Sequence, residues 1–247
     1  MAGRFKPRLA VWPIEPVLKR LRALTSISES DEVLIREAGE RREQHGPGEE
    51  LIVEGQPIRR RRFVVAGWAA CQRMLPDGRR QIFRFVLPGD TIGFQDAPHA
   101  LWSVVALTAL ETADSESVLA ATAEDRAPGL ARAIAKGKIH DQQLLLDHMV
   151  RLGQQTAFER VAHLLLELQS RLEVVGLGDG RRFPLPLTQE VLADALGLSI
   201  VQVNRTLQQL RRERLIELRS GVAILLQPEA LSGIADYEPP RLVSGVR

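Results

Sequence analysis

A single cysteine, Cys71, occurs in 247 residues. That excludes an intramolecular disulfide and any cluster ligated by several cysteines of one chain. Long apolar runs are missing as well: none approaches the roughly 20 residues that span a membrane as a helix. The opening segment, MAGRFKPRLAVWPIEP, has no apolar stretch adequate for a secretory signal. A cytoplasmic protein with no membrane association is therefore expected. Aromatic residues are few, at 4%, against 45% apolar and 26% charged, a globular composition with core enough for one large or two modest domains. Neither sign of charge dominates. The net value of +2, from 33 basic and 31 acidic residues, does not by itself imply a polyanionic partner. There is no P-loop, no Ser-His-Asp signal, no CxxC and no His-x-His pair. Neither an enzyme nor a resident metal or cofactor is expected.

What is present concentrates between Leu187 and Ile216, LTQEVLADALGLSIVQVNRTLQQLRRERLI. Two apolar-periodic segments meet at Gly197, one carrying Leu192, Ala195 and Leu196, the other Val203, Leu207 and Leu210. A short Gly-containing turn between two helices is the pattern of a helix-turn-helix. Thr188 is placed to cap the first helix, and Ser199 with Gln202 forms a capping box for the second. With Val203, Leu207 and Leu210 turned inward, Val201, Arg205, Gln208 and Arg212 line the opposite side, with Asn204 beside them. Arg can pair with guanine, Asn or Gln with adenine, and an apolar group with the thymine methyl. Between Ser199 and Leu215, four arginines stand against Glu213, 4 − 1 = +3, a local basic patch. A solvated polar face on an ordinary bundle is the competing reading.

The remainder divides into three textures. The sequence predicts helices from Pro16 to Leu24 and from Ser30 to about Gly39; residues 1–12 carry no pattern. From Gly48 to about Leu119, short apolar runs alternate with glycine, and Pro76-Asp77-Gly78 reads as a hairpin turn. This predicts a small antiparallel barrel or jelly roll, with no helix until Ala123 is passed. Beyond about Leu130 the pattern is helical. Leu145, Met149 and Leu152, flanked by Leu146 and Val150, form a stripe suited to parallel self-association; packing within the chain is the alternative. Gly153, with Gln154 and Gln155, is the expected hinge. A helix bearing Phe158, Val161, Leu165, Leu168 and Leu172 follows, then the loop Gly176 to Pro186. A two-stranded wing is expected around Ser220-Gly221, then a short terminal helix and tail over 228–247. Two domains result, 14–153 and 154–236, in an α+β fold.

A glycine-punctuated roll, a long helix, a hinge and a winged helix-turn-helix, in that order, resemble the Crp/Fnr superfamily of bacterial transcription regulators. The resemblance runs from Val17 to Ile234. It is carried by GEELIVEG (48–55), AGWAACQRMLPDGRRQI (66–82), LPGDTIG (87–93) and above all the Leu187–Ile216 stretch. It implies a homodimer on double-stranded DNA at a palindromic promoter site, contacting RNA polymerase to activate or repress. By the same resemblance, Arg205 matches the helix arginine that contacts a guanine, Asn204 its polar neighbour, and Ser199 an N-cap facing a phosphate. Thr188, Val201, Gln202, Gln208, Arg211 and Arg212 complete the candidate DNA-binding set. Val201 stands where many members carry a base-contacting glutamate.

In this family the roll can bind a cyclic nucleotide through a Gly-Glu pair and an Arg-Ser or Arg-Thr pair. Here the corresponding residues, the candidate ligand positions, are Gly93-Phe94 and Trp102-Ser103. Both charged determinants are missing, and a buried phosphate without its cation is costly, so a response to cyclic AMP is not expected. His45, His99, His140, His148 and His163 lie in no ligand motif and read as surface or core histidines. Cys71 reads as a small buried hydrophobe, with a redox switch as the alternative. Arg59 to Arg62 reads as a solvated connection between strands.

Overall fold

The computed structural model describes residues 14–239; residues 1–12 and the tail from Pro240 lie outside them. Two helices lead, α1 (Glu15–Leu24) and α2 (Glu29–Ala38). α2 begins where Ser28 Oγ accepts the Asp31 amide and the Asp31 carboxylate accepts the Ser28 amide, a reciprocal cap closed within four residues. Eight strands follow: β1 (Arg42–His45), β2 (Glu50–Ile52), β3 (Arg62–Ala66), β4 (Ala69–Met74), β5 (Arg80–Val86), β6 (Thr91–Ile92), β7 (Ser103–Ala106) and β8 (Leu110–Asp114). They form two antiparallel four-stranded sheets, ordered β1-β8-β3-β6 and β2-β7-β4-β5. This is the expected jelly-roll-like β-roll within an α+β fold. Pro76-Asp77-Gly78 turns the β4–β5 hairpin, with Met74 paired to Arg80. Of the arginine run, Arg60 and Arg62 both pair with Glu43 on β1.

Side-chain alternation sorts the strands into layers. Val64 faces into the roll with Ile52, Cys71, Val86 and Val104. Its neighbours Phe63 and Val65 face outward, against Val17, Leu18 and Leu21 of α1 and Leu130 of the long helix. The other sheet sends Ala70, Ile82 and Phe85 outward into a cluster shared with the C-terminal helices. Each sheet is thus covered on both faces.

Helix α3 (Glu116–Ala123) precedes the point where helix was expected to begin. It has no side-chain cap and buries only Val118 and Ala121, too few positions to show a period. Helix α4 (Pro128–Gln154) runs straight through Gly153, which corrects the expected break there. A helix-interior glycine costs only about 1 kcal/mol, and the chain turns extended at Gln155 instead. A second capping box, Thr156 with Glu159, then starts α5 (Ala157–Val174).

After α5 come β9 (Arg182–Pro184), α6 (Gln189–Leu196), α7 (Ile200–Arg212), β10 (Ile216–Arg219), β11 (Val222–Leu225) and α8 (Pro228–Ala235). The wing has three strands, ordered β10-β11-β9; the segment read as a plain loop supplies the third. Among the described residues, no helix is long and apolar enough to cross a membrane.

Candidate nucleic-acid interface

Local chemistry builds the helix-turn-helix. Thr188 Oγ1 accepts the Val191 amide at 3.2 Å, starting α6. Gly197 ends it in the left-handed region, φ 61 and ψ 38, donating to Ala193. A Cβ there would lie 3.2 Å from Leu152 Cδ2 at the end of α4, so the position favours glycine on both backbone and contact grounds. Ser199 Oγ accepts the Gln202 amide at 3.2 Å, and Gln202 Oε1 accepts the Ser199 amide at 2.9 Å. The turn thereby sets α7 across α6.

Val203, Thr206, Leu207 and Leu210 anchor α7 in the core. On its other side Val201 is 76% exposed, with Arg205, Gln208, Arg211 and Arg212 also exposed and Asn204 half-buried. Gln208 donates to Asn204 Oδ1 at 3.1 Å, which orients both amides along one edge of the helix. Among the described residues no carboxylate pairs with Arg205, Arg211 or Arg212. Three solvated cations without counter-charges, on a helix whose far side is fixed, suit phosphate oxygens and guanine edges. Thr188, Ser199 and Gln202 lie at the helix starts with side-chain oxygens engaged in the caps. Arg160, which the sequence did not single out, donates to the Gln155 carbonyl at 2.8 Å and to that of Leu196 at 3.0 Å. It ties the end of the long helix to the turn of the reader.

The four candidate ligand residues of the roll are divided between two layers. Phe94 packs on Phe63, ring centroids 5.7 Å apart, against the α1 side. Trp102 packs edge-on to Phe83 at 6.2 Å, against the roll interior. Ser103 Oγ accepts the Glu54 amide at 3.0 Å. Gly93 has φ 83, and a Cβ there would meet the Arg60 carbonyl at 2.8 Å. Cys71 is buried on β4, and that burial pushes its thiol up against the pull of Arg84, suppressing the reactive thiolate. Among the described residues no group of three or more His, Cys, Asp or Glu is placed to hold a metal.

Charges are buried where the roll, α4 and α5 meet. Asp90 in the β5–β6 turn pairs with Arg171 of α5 at 2.5 Å, and Glu167 of α5 with Arg151 of α4 at 3.0 Å. Burial alone would raise the Asp90 pKa, but Arg171, then Arg84 and Arg20, hold it well below the usual carboxylate range. His140 bonds to Arg20 and His148 to Arg151; His163 faces Gln155 and the Tyr237 ring. Burial first, then Arg20 for His140 and Arg151 for the other two, pushes these histidines down to about 3, about 4 and about 4. They are neutral when folded, whereas the unfolded chain takes up protons near 6.5. The unfolded state therefore binds more protons below that pH, and stability falls as pH drops from about 6.5 toward 4. Thermal unfolding against pH is expected to show Tm declining through this window, with a shallower slope for His148→Gln. A Tm unchanged across it would contradict the buried, neutral assignment.

The profile of the Crp-like helix-turn-helix domain matches residues 159–234. The chain is 34% identical over 172 residues to nitrogen fixation regulation protein FixK of Bradyrhizobium diazoefficiens, covering 70% of this chain and 72% of that one. It is 32% identical over 195 residues to FixK of Rhizobium meliloti, covering 77% and 85%. Among solved structures, FixK2 from Bradyrhizobium japonicum matches with a TM-score of 0.69 and 28% identity, over 78% of this chain and 96% of that one. A CRP-family transcriptional regulator from Thermus thermophilus matches with a TM-score of 0.62 at 23% identity, over 81% and 99%; at that identity it speaks for the fold alone. With a β-roll, a long helix and a winged reader in the order these relatives share, the chain belongs to the Crp/Fnr family of DNA-binding transcription regulators, not of enzymes.

Proposed function

We propose that this regulator acts in the cytoplasm as a homodimer on a two-fold palindromic promoter site, there meeting RNA polymerase, without answering to cyclic AMP. The observation that carries the dimer is the outer face of α4. Ile139, Leu145, Leu146, Met149 and Val150 are 42–63% exposed there, while Leu144, His148 and Arg151 of the same helix are buried against its own chain. An apolar stripe left in water along a 27-residue helix fits a second copy of itself. Residues 14–153 would then form the dimer platform, and 154–236 the reader. Two-fold pairing along α4 would present two α7 helices to successive major grooves, about 34 Å apart. The rings of Phe94 and Trp102, packed into the protein's own apolar layers, support a roll that does not use the cyclic-nucleotide mode.

Val201 opens the exposed face of α7 as an apolar group able to meet a thymine methyl but unable to accept from cytosine N4. Selection from a random duplex pool tests both readings. The wild-type chain is expected to enrich a palindrome, and Val201→Glu to change the preferred base at one symmetric pair of positions. An identical consensus for the two proteins would remove Val201 from base recognition.

A further inference from the structure

Two kinds of contact join the reader to the roll. Trp68, Ile82, Phe85 and Leu87 share one apolar cluster with Leu165 and Leu168 of α5. Burial of this kind is strong but non-directional, so it holds two surfaces together while tolerating a slide between them. Set beside it is a dry chain of charges. Arg171 donates to Asp90 at 2.5 Å, to the Phe85 carbonyl at 2.8 Å and to Glu167 at 3.1 Å. Glu167 accepts in turn from Arg151 of α4 at 3.0 Å. All four side chains are only 3–6% exposed. A planar guanidinium meets three such acceptors in a narrow range of orientations. Arg80 also pairs with Asp194 of α6 at 2.6 Å, about a quarter exposed, and Gln81 donates to the Asp194 carbonyl at 2.9 Å; both border an open groove of about 660 Å³, and pairs in water contribute little.

We propose that Arg171 is the positioning residue that sets the separation and rotation of the two recognition helices, and hence the half-site spacing the regulator accepts. One guanidinium refers α5 both to the roll and, through Glu167, to the helix bearing the exposed apolar stripe. The proposal rests on the dimer-on-palindrome reading above.

The charge balance selects the substitution. Among the ion-paired groups, Arg20, Arg84, Arg151 and Arg171 face Asp90, Asp141 and Glu167, 4 − 3 = +1; half-buried Asp147, near Glu167 and Arg151, and the neutral His140 and His148 stand outside that count. Removing Arg171 leaves 3 − 3 = 0, and each carboxylate keeps a cation: Asp90 with Arg20, Asp141 with Arg84, Glu167 with Arg151. Removing Asp90 would instead leave buried arginines uncompensated. Arg171→Met therefore cuts the tie while sparing the cluster.

The test titrates wild type and Arg171→Met on duplexes carrying the selected half-sites at the optimal spacing and at one base pair more or fewer. Each added pair moves the second half-site about 3.4 Å along the axis and about 35° around it. Wild type is expected to lose on the order of tenfold or more at either altered spacing. Arg171→Met is expected to lose no more than about threefold there, with binding to a single half-site unchanged. Arg171→Lys keeps the charge but cannot reach all three acceptors; it should fall between, and it carries the test if Arg171→Met does not fold. A variant that melts cooperatively and keeps the wild-type spacing profile would reduce Arg171 to packing and overturn the proposal. A wild-type chain indifferent to spacing would overturn the dimer reading instead.

Discussion

Arg205→Ala is expected to weaken binding to the specific duplex by about 1–3 kcal/mol per half-site. Over the two recognition helices of the proposed dimer that is roughly 30- to 10⁴-fold in affinity. The size follows from the position. Arg205 is exposed on a helix whose opposite side, Val203, Thr206, Leu207 and Leu210, is buried, so its guanidinium is free yet firmly aimed. The bidentate contact to guanine proposed for it would be lost outright on truncation, and specificity at that base pair should relax. Affinity for random DNA should change far less. Arg211→Ala and Arg212→Ala should behave otherwise, weakening specific and random duplexes alike and lowering the salt slope by about one each. Titrations of the same proteins on both duplexes at several salt concentrations separate the two patterns. Equal losses on specific and random DNA for Arg205→Ala would remove it from base reading.

Leu146→Glu is expected to produce a monomer. Leu146 is 61% exposed and Met149 63%, so a glutamate at 146 is harmless to the isolated chain. In a two-fold seam it would place a carboxylate beside its own mate in an apolar setting, which is strongly unfavourable. Two linked readers gain on the order of 10²–10⁴-fold over one, and the variant should lose that gain while keeping its affinity for a single half-site. Sedimentation and half-site titration check the two parts separately. Leu146→Met, which keeps volume and apolarity, should remain dimeric. A Leu146→Glu protein that sediments as a dimer would move the interface elsewhere.

The reader was legible because its determinants are local. Thr188 to Val191, Ala193 to Gly197 and Ser199 to Gln202 each close a cap within three or four residues, and a caps-plus-period argument needs nothing farther away. The hairpin at Pro76-Asp77-Gly78 was legible for the same reason. Strand β9 was not, since it is three residues flanked by Gly180 and Pro186 and gains its identity only by pairing with β11, as in Phe183 with Ala223. Within the expected hinge the break falls at Gln155 and not at Gly153, because the Thr156–Glu159 box, rather than the glycine, decides where the next helix begins. Arg160 and Arg171 carried no sequence signal at all. Asp90 and Arg171 are 81 residues apart, and an arginine on an amphipathic helix reads as a solvated one until its partner is in place.

The most direct test of the proposed dimer on a palindrome is enrichment of duplexes from a random pool by the wild-type protein, with the stoichiometry of the recovered complex measured. A palindrome whose halves are centred about 10 base pairs apart, held by two chains per duplex, is expected. An asymmetric or unenriched pool, or one chain per recovered duplex, would contradict it.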